Sequence, residues 1–199
     1  MSTSRAGLQV DTDAALARPP HVRPRVLVTN DDGIESPGLH ALARALAPDH
    51  DVVVVAPRHN MSGTGTGMGV AHDTIPMRRW PLADIEAYAI EGPPGLAVMS
   101  AALGAFGDPP DLVVSGVNAG LNTGHSIIHS GTVGAALTAH TFGGRGIAVS
   151  LAPSDPWHWE TAAVIGARVA RWALTHRPRA ALNVNVPAVG VTDIVGIRW

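Results

Sequence analysis

The stretch that decides the fold is VLVTNDDGIESPG, Val26 to Gly38. RVLVTN, Arg25 to Asn30, is short and β-branched and reads as a buried strand. It delivers the chain straight to two adjacent carboxylates, Asp31 and Asp32, and then to Gly33. Pro37 opens a helical pattern, with Leu39, Leu42 and Leu46 on one face.

The alternation continues along the chain. Asp51 to Ala56 is a second buried strand, ended by Pro57, and Ala87 to Ile90 is a weaker one. Gly92 to Phe106 reads as a turn and an apolar helix, and Asp111 to Ser115 as a third strong strand. A long polar loop precedes a small-residue helix from about Thr132 to Thr141. Then come a strand at Ile147 to Leu151, an amphipathic helix at Trp157 to His176 and a strand at Leu182 to Val186. Apolar strands alternating with helices predict a mainly parallel sheet covered on both faces: an α/β, three-layer α/β/α, Rossmann-like fold.

The 199 residues suit a single domain, taken as 23–199. Residues 1–22 mix charges with small residues, lack the apolar run of a signal peptide and read as a disordered tail. Net charge is -2 with no run of like charges, so neither a nucleic-acid polymer nor a membrane is an expected partner. The charge-free stretch from Leu112 to Gly144 is too rich in Gly, Asn, Ser, Thr and His to span a bilayer, and a cytoplasmic protein is expected. The chain has no cysteine, which excludes thiol nucleophiles and thiolate zinc sites. It also has no lysine, which excludes a Walker A loop and Schiff-base chemistry.

In such folds ligands bind beyond the carboxyl ends of the strands. After the first strand comes Asn30-Asp31-Asp32-Gly33, after the second a loop with Ser62-Gly63, and after the third Gly116-Val117-Asn118. No G-x-G-x-x-G occupies the first turn; two carboxylates stand there and would repel a phosphate unless a cation intervened. Oxygen donors of this kind suit a hard divalent ion. Adjacent residues of a regular strand point to opposite faces, so both carboxylates meet one ion only where the strand breaks, and Gly33 permits the break. The alternative is that Asp31 or Asp32 merely caps the following helix. Between Ser115 and Ala136 lie the amides of Asn118 and Asn122, the hydroxyls of Ser130 and Thr132, and Gly131 and Gly134 at a helix start. Free N–H groups at such a start form a ready phosphate site, and no carboxylate between Asp111 and Asp155 opposes an anion. No G-x-S-x-G nucleophile signature occurs.

Taken together, these pieces resemble the SurE family of survival-protein 5′/3′-nucleotidases. VLVTNDDGIESPGLHALARAL, VVVVAP followed by Ser62-Gly63, PDLVVSGVNAGLN, HSGTVGAA, GIAVSL, NVNVP and GIR run in the family's order from about Arg25 to Arg198. The resemblance implies a phosphomonoesterase acting on nucleoside 5′/3′-monophosphates. It implies a divalent ion, Mg²⁺ or Mn²⁺, held by Asp31, Asp32, Ser62 and Asn118, with Asp31 or Asp32 serving the water. It sets Ser130, Gly131 and Thr132 beside the phosphate, with Asn30, Gly63 and Asn122 near it. A homodimer or tetramer is expected on the same ground.

The chain departs from the family's pattern at Arg58, Met61, Gly92 to Ala97, His125-Ser126, His129 and Thr138. These departures leave the four implied ligands intact. They raise a second reading, a phosphorylated small metabolite as substrate with His125 and His129 as contacts, and a third, a non-catalytic binding module. SurE-like chains continue several dozen residues past the G-I-R segment, so the sequence reads as a short or truncated member.

Overall fold

The computed structural model describes residues 23–69, 74–178 and 180–199. The expected tail over 1–22 lies outside the described residues. Seven strands form one sheet in the order β3-β4-β2-β1-β5-β6-β7. They are β1 (Arg25–Thr29), β2 (Asp51–Pro57), β3 (Met77–Arg79), β4 (Glu86–Ile90), β5 (Leu112–Ala119), β6 (Gly146–Leu151) and β7 (Leu182–Val186). All neighbours pair parallel except β3, which runs antiparallel on β4.

The helices are α1 (Pro37–Leu46), α2 (Pro94–Ala102), α3 (Gly131–Thr141) and α4 (Trp159–His176). Val26 and Val28 of β1 pack with Leu39 and Leu42 of α1 and Ala162 and Ala170 of α4. Leu27, one residue out of phase, packs on the other face with Leu96 and Ala97 of α2 and Ala135 of α3. Apolar side chains at successive strand positions thus cover both sheet faces, which is why β1, β2 and β5 lack an apolar-polar alternation. Among the described residues no helix is long and apolar enough to cross a membrane.

Three elements differ from expectation. β3 is a three-residue, exposed edge strand of sequence MRR; its charged side chains carry no burial signal and suit an edge. Residues Gly124–His129, expected as plain loop, form a 3-10 helix. β5 continues past Ser115 to Ala119 because it contains a bulge. Gly116 pairs with Val149 and Asn118 with Ser150, leaving Val117 as the extra residue. Val117 consequently joins the α1/α4 side of the core, where strict alternation would have put Asn118. Gly116 carries φ +135°, and a Cβ there would stand 2.3 Å from the Val149 carbonyl oxygen. Only glycine fits that backbone.

Candidate active site

β1 ends where two strand neighbours part: the chain leads from β1 to β2 on one side, and β5 lies on the other. The turn Asn30–Gly33 projects into that crevice. The Asn30 amide closes it, donating to the Gly33 carbonyl at 3.0 Å and accepting from the Gly33 N–H at 3.2 Å. Gly33 adopts φ +106°, as the break in the strand requires. Asn30 therefore acts here through the shape of the turn.

Asp31 is 3% exposed and reaches across the crevice to the start of α3. The Gly131 N–H donates to its Oδ2 at 3.0 Å, and the Thr132 hydroxyl to its Oδ1 at 2.5 Å. The Thr132 hydroxyl also lies 3.2 Å from Asn118 Oδ1. The β5 bulge turns Asn118 to this side, and its amide nitrogen donates to the Gly120 carbonyl at 2.7 Å. That bond leaves the Asn118 carbonyl oxygen facing the Thr132 hydroxyl, which also serves Asp31. Helix capping therefore occurs, but at a different helix from the one weighed in the sequence. Asp31 serves α3, a hundred residues away, while α1 has no side-chain cap.

Asp32 lies under the end of β5. Its carboxyl is pushed up from 3.8 to about 6, first by burial, then by the neighbouring Asp31 charge, against a lowering backbone hydrogen bond from Ala119. Its Oδ2 is buried without a partner. A buried acceptor left open beside a second carboxylate is a costly arrangement, and a cation would relieve it. Among the described residues no three His, Cys, Asp or Glu side chains gather to hold a metal. A cation here would need two carboxylates completed by hydroxyl and amide oxygens, which is hard-ion chemistry and fits the donors present.

The other expected residues fall into two groups. Ser130 caps α3, its Oγ accepting from the Val133 N–H at 3.1 Å. The 61–67 loop is tied to the same spot: the Met61 N–H donates to the Asp31 carbonyl at 2.6 Å and the Gly65 N–H to the His129 carbonyl at 3.0 Å. Ser62 and Gly63 ride exposed on that loop. Asn122 is buried further out, its amide donating to Ser150 Oγ at 2.9 Å. Its backbone carbonyl accepts from Asn183 and Asn185 of β7, at 2.9 and 3.0 Å. His125 and His129 are exposed on the 3-10 helix that leads into α3. Of the other departures, Arg58 pairs with Glu91 at 3.3 Å, and Thr138 is buried, its hydroxyl donating to the Gly134 carbonyl at 2.7 Å.

Three residues of this neighbourhood were not singled out from the sequence. Thr64 Oγ1 lies 3.0 Å from where a Cβ on Gly131 would stand, beside Asp31. A hydroxyl directly after Ser62-Gly63 was the available signal. Asn183 and Asn185 were signalled by period-two spacing, which puts both amides on one face of β7.

Comparison with known proteins agrees with this architecture. The family model described as survival protein SurE matches residues 26–199. A 5′-nucleotidase SurE of Dehalococcoides mccartyi (strain CBDB1) is 40% identical over 179 residues, covering 87% of this chain and 68% of the relative. One of Rubrobacter xylanophilus is 41% identical over 185 residues, covering 87% and 70%. The crystal structure of the SurE protein from Aquifex aeolicus superposes with a TM-score of 0.78 at 34% identity, covering 88% of this chain and 71% of that one. Sequence match across the sheet, shared architecture and a carboxylate pair at the switch point lead to one conclusion: the chain belongs to the SurE family.

Proposed function

We propose that this chain is a divalent-metal-dependent phosphomonoesterase that hydrolyses nucleoside 5′- and 3′-monophosphates. The matched relatives are named 5′-nucleotidases, which makes the chain a hydrolase of the phosphatase class. One observation supports the metal reading: Asp31 and the Asn118 carbonyl oxygen meet at the Thr132 hydroxyl, and the adjacent Asp32 keeps one oxygen buried and unpartnered.

Asp31, Asp32, Ser62 and Asn118 would hold the ion, Mg²⁺ or Mn²⁺. A divalent cation supplies charge neutralisation at the phosphoryl oxygens and a more acidic water. Asp31 is the fixed point, because Gly131 and Thr132 engage both of its oxygens. Asp32 has an open oxygen and a raised pKa, which suits it to orient the attacking water and take its proton. The start of α3, with Ser130, Gly131 and Thr132, directs the positive end of a helix dipole at charge developing on the phosphoryl group. Gly63 and Asn122 would lie near the bound phosphate, and the exposed His125 and His129 would be open to contact with the substrate.

Exposed His125 and His129 favour a second reading, a phosphorylated small metabolite as substrate. A homo-oligomer and a cytoplasmic setting rest on the family resemblance and on the sequence.

The test is phosphate release from AMP and from 3′-AMP by metal-stripped protein, with Mg²⁺ or Mn²⁺ added back, beside Asp32→Asn. Turnover restored by metal and lost in the variant is expected. Turnover in chelator equal to that with metal would sink the metal reading. Faster release from sugar phosphates than from either nucleotide would favour the second.

A further inference from the structure

Trp157 is a large apolar side chain that the core does not use. Its neighbour Trp159 packs against the α1/α4 side of the core, whereas Trp157 is absent from it and 37% exposed. The two rings stack at 4.8 Å between centroids and 11° between planes. One face of Trp157 is therefore covered by Trp159, and its exposed area lies on the other face and the edges.

The place of this pair matters more than its exposure. The β6–α4 segment leaves the carboxyl end of β6, where the Gly120 N–H donates to the Leu151 carbonyl at 3.0 Å. That is the rim that carries Asn118. Trp159 closes the distance from the other direction. A Cβ on Gly38 would stand 2.3 Å from the Val117 carbonyl oxygen and 2.9 Å from Trp159 Cζ3. The Trp159 ring edge thus adjoins the residue that precedes Asn118. A flat aromatic face beside a phosphate site is what a heterocyclic base requires, since every base offers a π-face.

We infer that Trp157, backed by Trp159, is the platform on which the base of a nucleoside monophosphate stacks when its phosphate lies at Asp31, Asp32 and the start of α3. This assignment rests on the phosphatase reading above and adds the means by which nucleotides are preferred over phosphates that lack a base. Stacking acts on binding, so its loss should raise KM and leave kcat near its original value.

The experiment measures binding and turnover of AMP and of ribose 5-phosphate, with Mn²⁺ present, for the intact chain, Trp157→Ala and Trp157→Phe. Trp157→Ala is expected to weaken AMP binding about tenfold while ribose 5-phosphate binding stays the same, with Trp157→Phe close to the original. An equal effect on both ligands, or none on AMP, would overturn the assignment. A binding preference for AMP that vanishes in Trp157→Ala, in a protein that turns over neither ligand, would support the platform and refute the phosphatase reading.

Discussion

At the scale of single residues, the two aspartates are neighbours in sequence with opposite circumstances. Asp31 accepts a donor from α3 on each oxygen, while Asp32 keeps a buried oxygen with no partner. Burial raises the Asp32 pKa to about 6 in the folded chain, above its ordinary 3.8. Well below pH 4 both states are protonated, so there the residue is neutral for stability. Between about pH 4 and 6 the unfolded chain has given up this proton and the folded chain still holds it, so stability falls across that window and levels off above it. Asp32→Asn should therefore stabilise the metal-free protein at pH 8 by about 1–2 kcal/mol, after allowance for solvent reaching a part-buried carboxyl. The gain should vanish near pH 4, which thermal unfolding in chelator at the two pH values would check. Stabilisation of equal size at both would refute the assignment. Thr132→Val should lower kcat by about tenfold or more, because Asp31 loses its hydroxyl donor; an unchanged kcat in a folded variant would refute that role. The pairing of carboxylates was legible in the sequence. Their division of labour was not, since it depends on partners a hundred residues away.

At the scale of elements, the informative feature is the β5 bulge. The sequence made the strand and the amide visible, but a one-residue slip in register leaves no mark beyond a glycine. Gly116→Ala would drive a methyl into the Val149 carbonyl. Denaturant unfolding should show a loss of at least ~2 kcal/mol, and activity should fall further as Asn118 turns away from Thr132. Ser130→Ala, which removes the α3 cap at the helix start assigned to the phosphoryl group, should cost about 1 kcal/mol of stability and lower turnover as well. β3 escaped the sequence reading because an exposed MRR segment has no burial pattern to detect. The parallel strands were readable because burial on both faces demands unbroken apolar runs such as DVVVVA.

At the scale of the molecule, strand order brings segments near residues 31, 62, 118 and 131 to one rim. The sequence could place each after a strand but could not measure their convergence. A cation binding only the folded form should raise the unfolding temperature of the metal-stripped chain, with about 4 kcal/mol gained at a thousandfold excess over Kd. Asp32→Asn should lose most of that gain, and calorimetry with and without Mn²⁺ would check it. An identical shift in chain and variant would mean that the ion binds elsewhere.

The amides of Asn183 and Asn185 hold the Asn122 carbonyl from the last strand of the sheet. During synthesis, β1, β5 and the start of α3 all emerge before that strand. Until then the Asn122 side chain has its bond to Ser150 but the Asn122 carbonyl has no partner from β7, so the full anchoring of this loop is among the last features the growing chain acquires. A nascent chain halted before residue 183 would hold both aspartates and still lack the two amide bonds that fix the Asn122 carbonyl.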